Sequence, residues 1–124
     1  MLWVDDQPQN NALLIDQLMG AGVAVDIARS TTEGMTLAAR RRYGAIITDM
    51  GRDEEGRFRP RAGLDLIRQL RDAGDRTPVL VFTSSRSARD HGLEARELGA
   101  HDATSSGVDL VAFLRANGVM QVTR

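Results

Sequence analysis

The stretch Tyr43-Gly44-Ala45-Ile46-Ile47-Thr48-Asp49 decides the fold. It is nearly all apolar until its final acid, the pattern of a short strand buried on both faces, and such strands occur where helices cover a parallel sheet from either side. Strand-length and helix-length apolar patterns alternate on both sides of it, as repeated βα units do. Upstream, Leu2 to Asp5 makes a first strand, and Pro8 opens a helix whose apolar positions from Ala12 to Met19 stop at Gly20 and Gly22. Val23 to Ala28 reads as the second strand, and Ser30-Thr31-Thr32-Glu33 has capping-box spacing for a second helix reaching about Arg42.

Downstream, Leu64, Ile67 and Leu70 mark a third helix ended by Gly74, and Thr77-Pro78 leads into a fourth strand, Val79 to Thr83. A fourth helix runs from about Ser87 to Leu98, a short fifth strand lies around His101 to Thr104, and Leu110, Val111, Phe113 and Leu114 form the buried face of a fifth helix. The segment Gly51 to Ala62 is polar, Gly-containing and aperiodic, and is expected to be a long inserted loop. One domain over residues 1–117 is expected, with 118–124 a tail or the start of a linker whose alternation from Val119 resembles a strand.

Composition narrows the functions open to this unit. The chain has 124 residues and a formal charge of −1, so it lacks the basic excess of a nucleic-acid or membrane-surface binder. It has no cysteine, which removes disulfides, thiolate nucleophiles and Cys-ligated metals. No apolar run is long enough to span a membrane and no signal-peptide pattern opens the chain, so the expected address is cytoplasmic. All 16 basic residues are Arg, and any role for a compact ammonium must go unfilled or fall to a guanidinium.

In an open parallel sheet, ligands bind beyond the carboxyl ends of the strands. Asp5 and Asp6 end the first strand, Asp49 the third and Thr83 the fourth, so three carboxylates and a hydroxyl meet at one edge. Carboxylates gathered this closely repel one another and call for a divalent cation, shared protons or water, and Mg²⁺ suits an all-oxygen set. His91 and His101 have no partner at ligand spacing, Trp3 reads as core filling, and the serines at 84, 85, 87, 105 and 106 read as helix caps.

These residues carry a family likeness. Trp3-Val4-Asp5-Asp6, Ala45-Ile46-Ile47-Thr48-Asp49-Met50, Pro78-Val79-Leu80-Val81-Phe82-Thr83-Ser84 and Leu98-Gly99-Ala100-His101-Asp102, in that order, resemble the receiver (CheY-like) domain of two-component response regulators over roughly residues 1–117. The resemblance implies a flavodoxin-like (βα)₅ three-layer sandwich with strand order 2-1-3-4-5. It implies Asp49 as phosphoacceptor, Asp5, Asp6, Asp49 and the Gly51 carbonyl as the Mg²⁺ set, and Thr83 as the switch hydroxyl. It also implies phosphorelay signalling without independent turnover, a histidine kinase or small phosphodonor upstream, and an output partner or a second copy docking on the helix 4, strand 5, helix 5 face.

Three departures make the receiver atypical. The family's lysine falls at Ser106, its aromatic switch falls at Ala103, and the segment between Asp49 and Gly63 is about twice the family length. Arg52, Arg57 or Arg86 is a candidate guanidinium for the missing ammonium, set against solvated arginines on a mobile loop as the ordinary alternative. Two rival functions remain: a phosphorylation-independent interaction module, and a small Mg²⁺-dependent phosphohydrolase, whose general acid two residues beyond the nucleophile would have to be Gly51.

Overall fold

The computed structural model describes residues 1–121. Along the chain run β1 (Leu2–Val4), a 3₁₀ turn (Pro8–Asn11), α1 (Ala12–Gly20), β2 (Asp26–Ala28), α2 (Thr31–Arg40) and β3 (Ile46–Thr48). There follow β4 (Arg52–Glu54), β5 (Arg57–Arg59), α3 (Ala62–Asp72), β6 (Val79–Phe82), α4 (Ser85–Glu97), β7 (Asp102–Thr104) and α5 (Gly107–Ala116). The main sheet has the order β2-β1-β3-β6-β7 with parallel pairings throughout, so the predicted order holds and β3 is central.

Strand alternation sends side chains to two separate cores. Leu2, Val4, Ile46, Val79 and Val81 pack with Met50, Leu64, Leu66, Ile67 and Leu70 on the α2–α4 side. Met1, Trp3, Ala45, Ile47 and Leu80 pack with Ile15, Leu18, Leu110, Phe113 and Leu114 on the α1–α5 side. Ser30, Ser84 and Ser106 cap α2, α4 and α5 through their hydroxyls, which accept from the amides of Glu33, Ser87 and Asp109. Trp3 is core filling, 1% exposed and edge-on to Phe82.

Residues 51–62 are not the aperiodic loop expected from sequence. They form an antiparallel hairpin in which Arg52 faces Arg59 and Glu54 faces Arg57. Glu55 and Gly56 make its two-residue turn with φ of 54° and 77°, the left-handed pair that matches the twist of the flanking strands. The hairpin leaves and rejoins the domain at one point, where the Gly63 amide donates to the Met50 carbonyl at 2.8 Å. The tail also differs: Val119 donates to Leu114 and packs with Met120 on the α1–α5 core instead of starting a strand, and positions 122–124 of the expected alternation lie outside the described residues.

The return at Gly63 tolerates no side chain, because a Cβ there would lie 2.2 Å from the Asp49 carbonyl oxygen. A Cβ on Gly107 meets nothing within 4 Å. Gly63→Ala is therefore expected to cost about 3 kcal/mol in urea unfolding, as an overpacked backbone contact does, while Gly107→Ala stays within about 1 kcal/mol of the parent.

Candidate functional site

Backbone pairing fixes the site before any side chain acts. The Asp5 amide donates to Ala28, the Asp49 amide to Val4 and the Thr83 amide to Thr104, so each strand end is tied to its neighbour. Asp5, Asp6 and Asp49 converge as the sequence predicts, each offering a carboxylate oxygen within 4.8 Å of the other two. With Thr83, Gly51, Asn11 and Phe58 they line a cavity of about 300 Å³ at the carboxyl rim of the sheet.

The three acids are held differently. Asp5 is buried and accepts from the Gln7 amide at 2.9 Å, from Asn11 at 3.2 Å and, at a long 3.4 Å, from the Trp3 indole. Asp6 accepts at 3.0 Å from the amide of Asp53 on the hairpin. Asp49 gives its Oδ1 to Arg52, while its Oδ2 is buried with no partner among the described residues. Burial, opposed by Arg52 and reinforced by the charges of Asp5 and Asp6, pushes the Asp49 carboxyl up to about 8.

Arg52 is the residue that sequence reasoning placed only as one of three candidates. It is 1% exposed, on the strand that was expected to be loop, and every N–H of its guanidinium is engaged. Nε donates to Glu54, Nη1 to Asp49 and to Thr48 at 3.1 Å, and Nη2 to Thr31 at 3.0 Å and to the Ala62 carbonyl at 3.1 Å. The expectation of solvated loop arginines fails here, whereas Arg57 and Arg86 are indeed exposed.

Glu54 completes the arrangement and was not foreseen. It accepts from the backbone amide and the hydroxyl of Thr31, the first residue of α2. Burial raises its carboxyl, but these bonds and Arg52 outweigh burial and hold it below the ordinary range. The only sequence signal was a carboxylate two residues beyond a basic residue, which is common on any charged loop.

The remaining predicted residues separate. Thr83 lines the cavity, but Ser106 is not among its lining residues, and its hydroxyl is spent on the α5 cap. Ala103 packs its methyl against the α2–α4 core. His101 stacks on Phe113 with ring centroids 5.3 Å apart, a packing role. Gly51 brings only backbone to the cavity, so the general acid of a phosphohydrolase is absent at that position.

A parallel five-stranded α/β sandwich with an acidic cleft at the carboxyl end of its central strand defines a small doubly wound domain with its ligand site at the sheet's rim. Comparison with known proteins makes the class specific. Residues 1–116 match the Response regulator receiver domain family, and the chain belongs to it. The chain is 36% identical over 105 residues to the Response regulator MprA of Mycobacterium leprae, and 31% identical over 102 residues to the Transcriptional regulatory protein CusR of Escherichia coli. Each match covers 82% of this chain but only 42% of the relative, so the chain spans less than half the length of these curated relatives. The receiver domain of Francisella response regulator 1452 has the same fold, with a TM-score of 0.76 over 94% of this chain and 93% of that one at 20% identity.

The chain thus carries a response regulator receiver domain of the two-component type. No described helix is long and apolar enough to cross a membrane.

The raised Asp49 carboxyl has a signed consequence. Its folded value, about 8, lies above the unfolded one, so the folded state holds an extra proton between about pH 4 and 8 and stability falls as pH rises through that window. In chelator, the stability difference between Asp49→Asn and the parent is expected to grow in favour of the variant toward pH 8, by at most about 1.4 kcal/mol per pH unit. Urea titrations at stepped pH measure it. A difference that is flat with pH would contradict the assignment.

Proposed function

We propose that Asp49 accepts a phosphoryl group from a histidine kinase or a small phosphodonor, and that the domain passes this state on by protein contact. The observation that supports it is Asp49 itself, which lines a cavity together with two further carboxylates and keeps a buried Oδ2 without a partner. In the transfer, Oδ2 attacks phosphorus, the P–N bond of a phosphohistidine breaks, and its electron pair stays on the imidazole ring. The product is an acyl phosphate, and Oδ1 becomes its carbonyl oxygen.

A divalent cation fits this site, because three carboxyl groups, one of them with an orphaned buried oxygen, face a single guanidinium. Asp5, Asp6, Asp49 and the Gly51 carbonyl would hold Mg²⁺, which supplies the charge neutralisation that lets an anionic carboxylate meet an anionic donor. Asn11 and the Gln7 amide orient Asp5, the Asp53 amide orients Asp6, and Thr83, which lines the same cavity, would donate its hydroxyl to a phosphoryl oxygen.

Output belongs to the face formed by α4, β7 and α5, where Leu93 and Val108 are exposed at 65% and 80%. An output partner or a second copy would dock there. This reading concerns the domain alone, since the relatives are more than twice its matched length.

Incubation with Mg²⁺ and acetyl phosphate is expected to add one phosphoryl group, about 80 Da by intact mass, to the parent and nothing to Asp49→Asn. Mg²⁺ alone is expected to change the fluorescence of Trp3, the sole tryptophan, whose indole contacts Asp5. Absence of the mass gain would favour the phosphorylation-independent module, and steady release of phosphate from a phosphomonoester would favour the hydrolase.

A further inference from the structure

Phosphoryl transfer to Asp49 requires its two oxygens to become unequal, and the structure already treats them so. Oδ1 is bound by Arg52 Nη1, while Oδ2 has no partner. Arg52 itself cannot swing, because its other four donors are fixed by Glu54, Thr48, Thr31 and Ala62. The chain contains no lysine, and Ser106, where the resemblance places one, is committed to capping α5.

We infer that Arg52, carried in by the β4–β5 hairpin, is the positioning residue for phosphoryl transfer: it holds Oδ1 before and after the reaction and so leaves Oδ2 as the attacking oxygen. This inference rests on the proposal that Asp49 is the phosphoacceptor. Before transfer Arg52 faces a carboxylate oxygen, and afterwards it donates to the carbonyl oxygen of the acyl phosphate. No bond of Arg52 is made or broken in between, so it costs no reorganisation during the step.

During the transfer Oδ1 needs a positive donor, while the other four bonds hold that donor in place, and this separates the role from structural support. Lysine keeps the charge but has only three donors, so Arg52→Lys loses several of the five bonds, and Arg52→Gln loses bonds and charge together.

At saturating Mg²⁺ with acetyl phosphate as donor, Arg52→Gln is expected to slow mass gain by about 10- to 100-fold, while Arg52→Lys stays within about fivefold of the parent even though both lose stability. A Gln variant as fast as the parent, or a Lys variant as slow as the Gln one, overturns the inference. A parent that gains no mass overturns the phosphoacceptor reading beneath it, and this inference with it. A measurement on the parent alone covers variants that fail to fold: the Arg52 guanidinium proton signals, followed by ¹⁵N NMR. With Mg²⁺ and beryllofluoride they are expected to shift yet remain slow to exchange with water, and their loss to exchange would show that Arg52 lets go.

Discussion

Three carboxylates within 4.8 Å of one another are the constraint around which this molecule is organised. At an effective dielectric constant of about 20, each such pair, when both members are ionised, repels by roughly 3 kcal/mol, a large share of the stability of a domain this size. The protein spreads that cost. Asp5 and Asp6 take hydrogen bonds from amides and Asn11, and Asp49, the most deeply committed of the three, faces a guanidinium. The compensation is incomplete, since Oδ2 of Asp49 stays unpartnered and its carboxyl sits near 8. A site left short of positive charge in this way is one that gains from a cation.

The guanidinium in turn dictates the shape of the β3–α3 connection. A buried arginine is costly unless all its donors are met, and Arg52 meets them only because the hairpin places it between Thr48 of β3, Thr31 at the start of α2 and Ala62 at the start of α3. Glu54, on the same strand, returns to the Thr31 amide and adds a negative charge at the N-terminus of α2, where the helix favours one. Hydrogen bonds therefore run without a gap from Asp49 through Arg52 and Glu54 to α2. On the β7 side, Ala103 offers a methyl group where the family resemblance places a ring.

The sheet was legible because its signal is redundant. Each strand is a short apolar run between turn residues, and the acids at their ends fall into register once the strands are parallel, so Asp5, Asp6, Asp49 and Thr83 were found together without any side-chain information. The hairpin was not legible, because its inward residue is charged. Apolar alternation cannot reveal a strand whose buried side chain is Arg52 and whose one large apolar residue, Phe58, is 65% exposed. The turn carried no stronger mark than Glu55-Gly56, with a non-glycine residue taking one of the two left-handed positions. Glu54 was invisible for a related reason: its role depends on a contact with Thr31 across 23 positions of chain.

Replacing an ammonium by a guanidinium is a change of architecture as well as of chemistry. Lysine's flexible stem can bring a point charge to an oxygen from a loop at the rim and leave its remaining donors to water. Arginine presents a planar fork, and close to a buried carboxylate each arm of that fork needs an acceptor of its own. The space bounded by β3, α2 and α3 supplies three acceptors besides Asp49, from Thr48, Thr31 and Ala62, and the hairpin strand brings the fourth, Glu54, with it. In a chain without lysine, the hairpin is what brings a buried positive charge to Asp49. Asp49 receives its positive charge on Oδ1 from a guanidinium whose other donors are all held, and its Oδ2 is left without a partner.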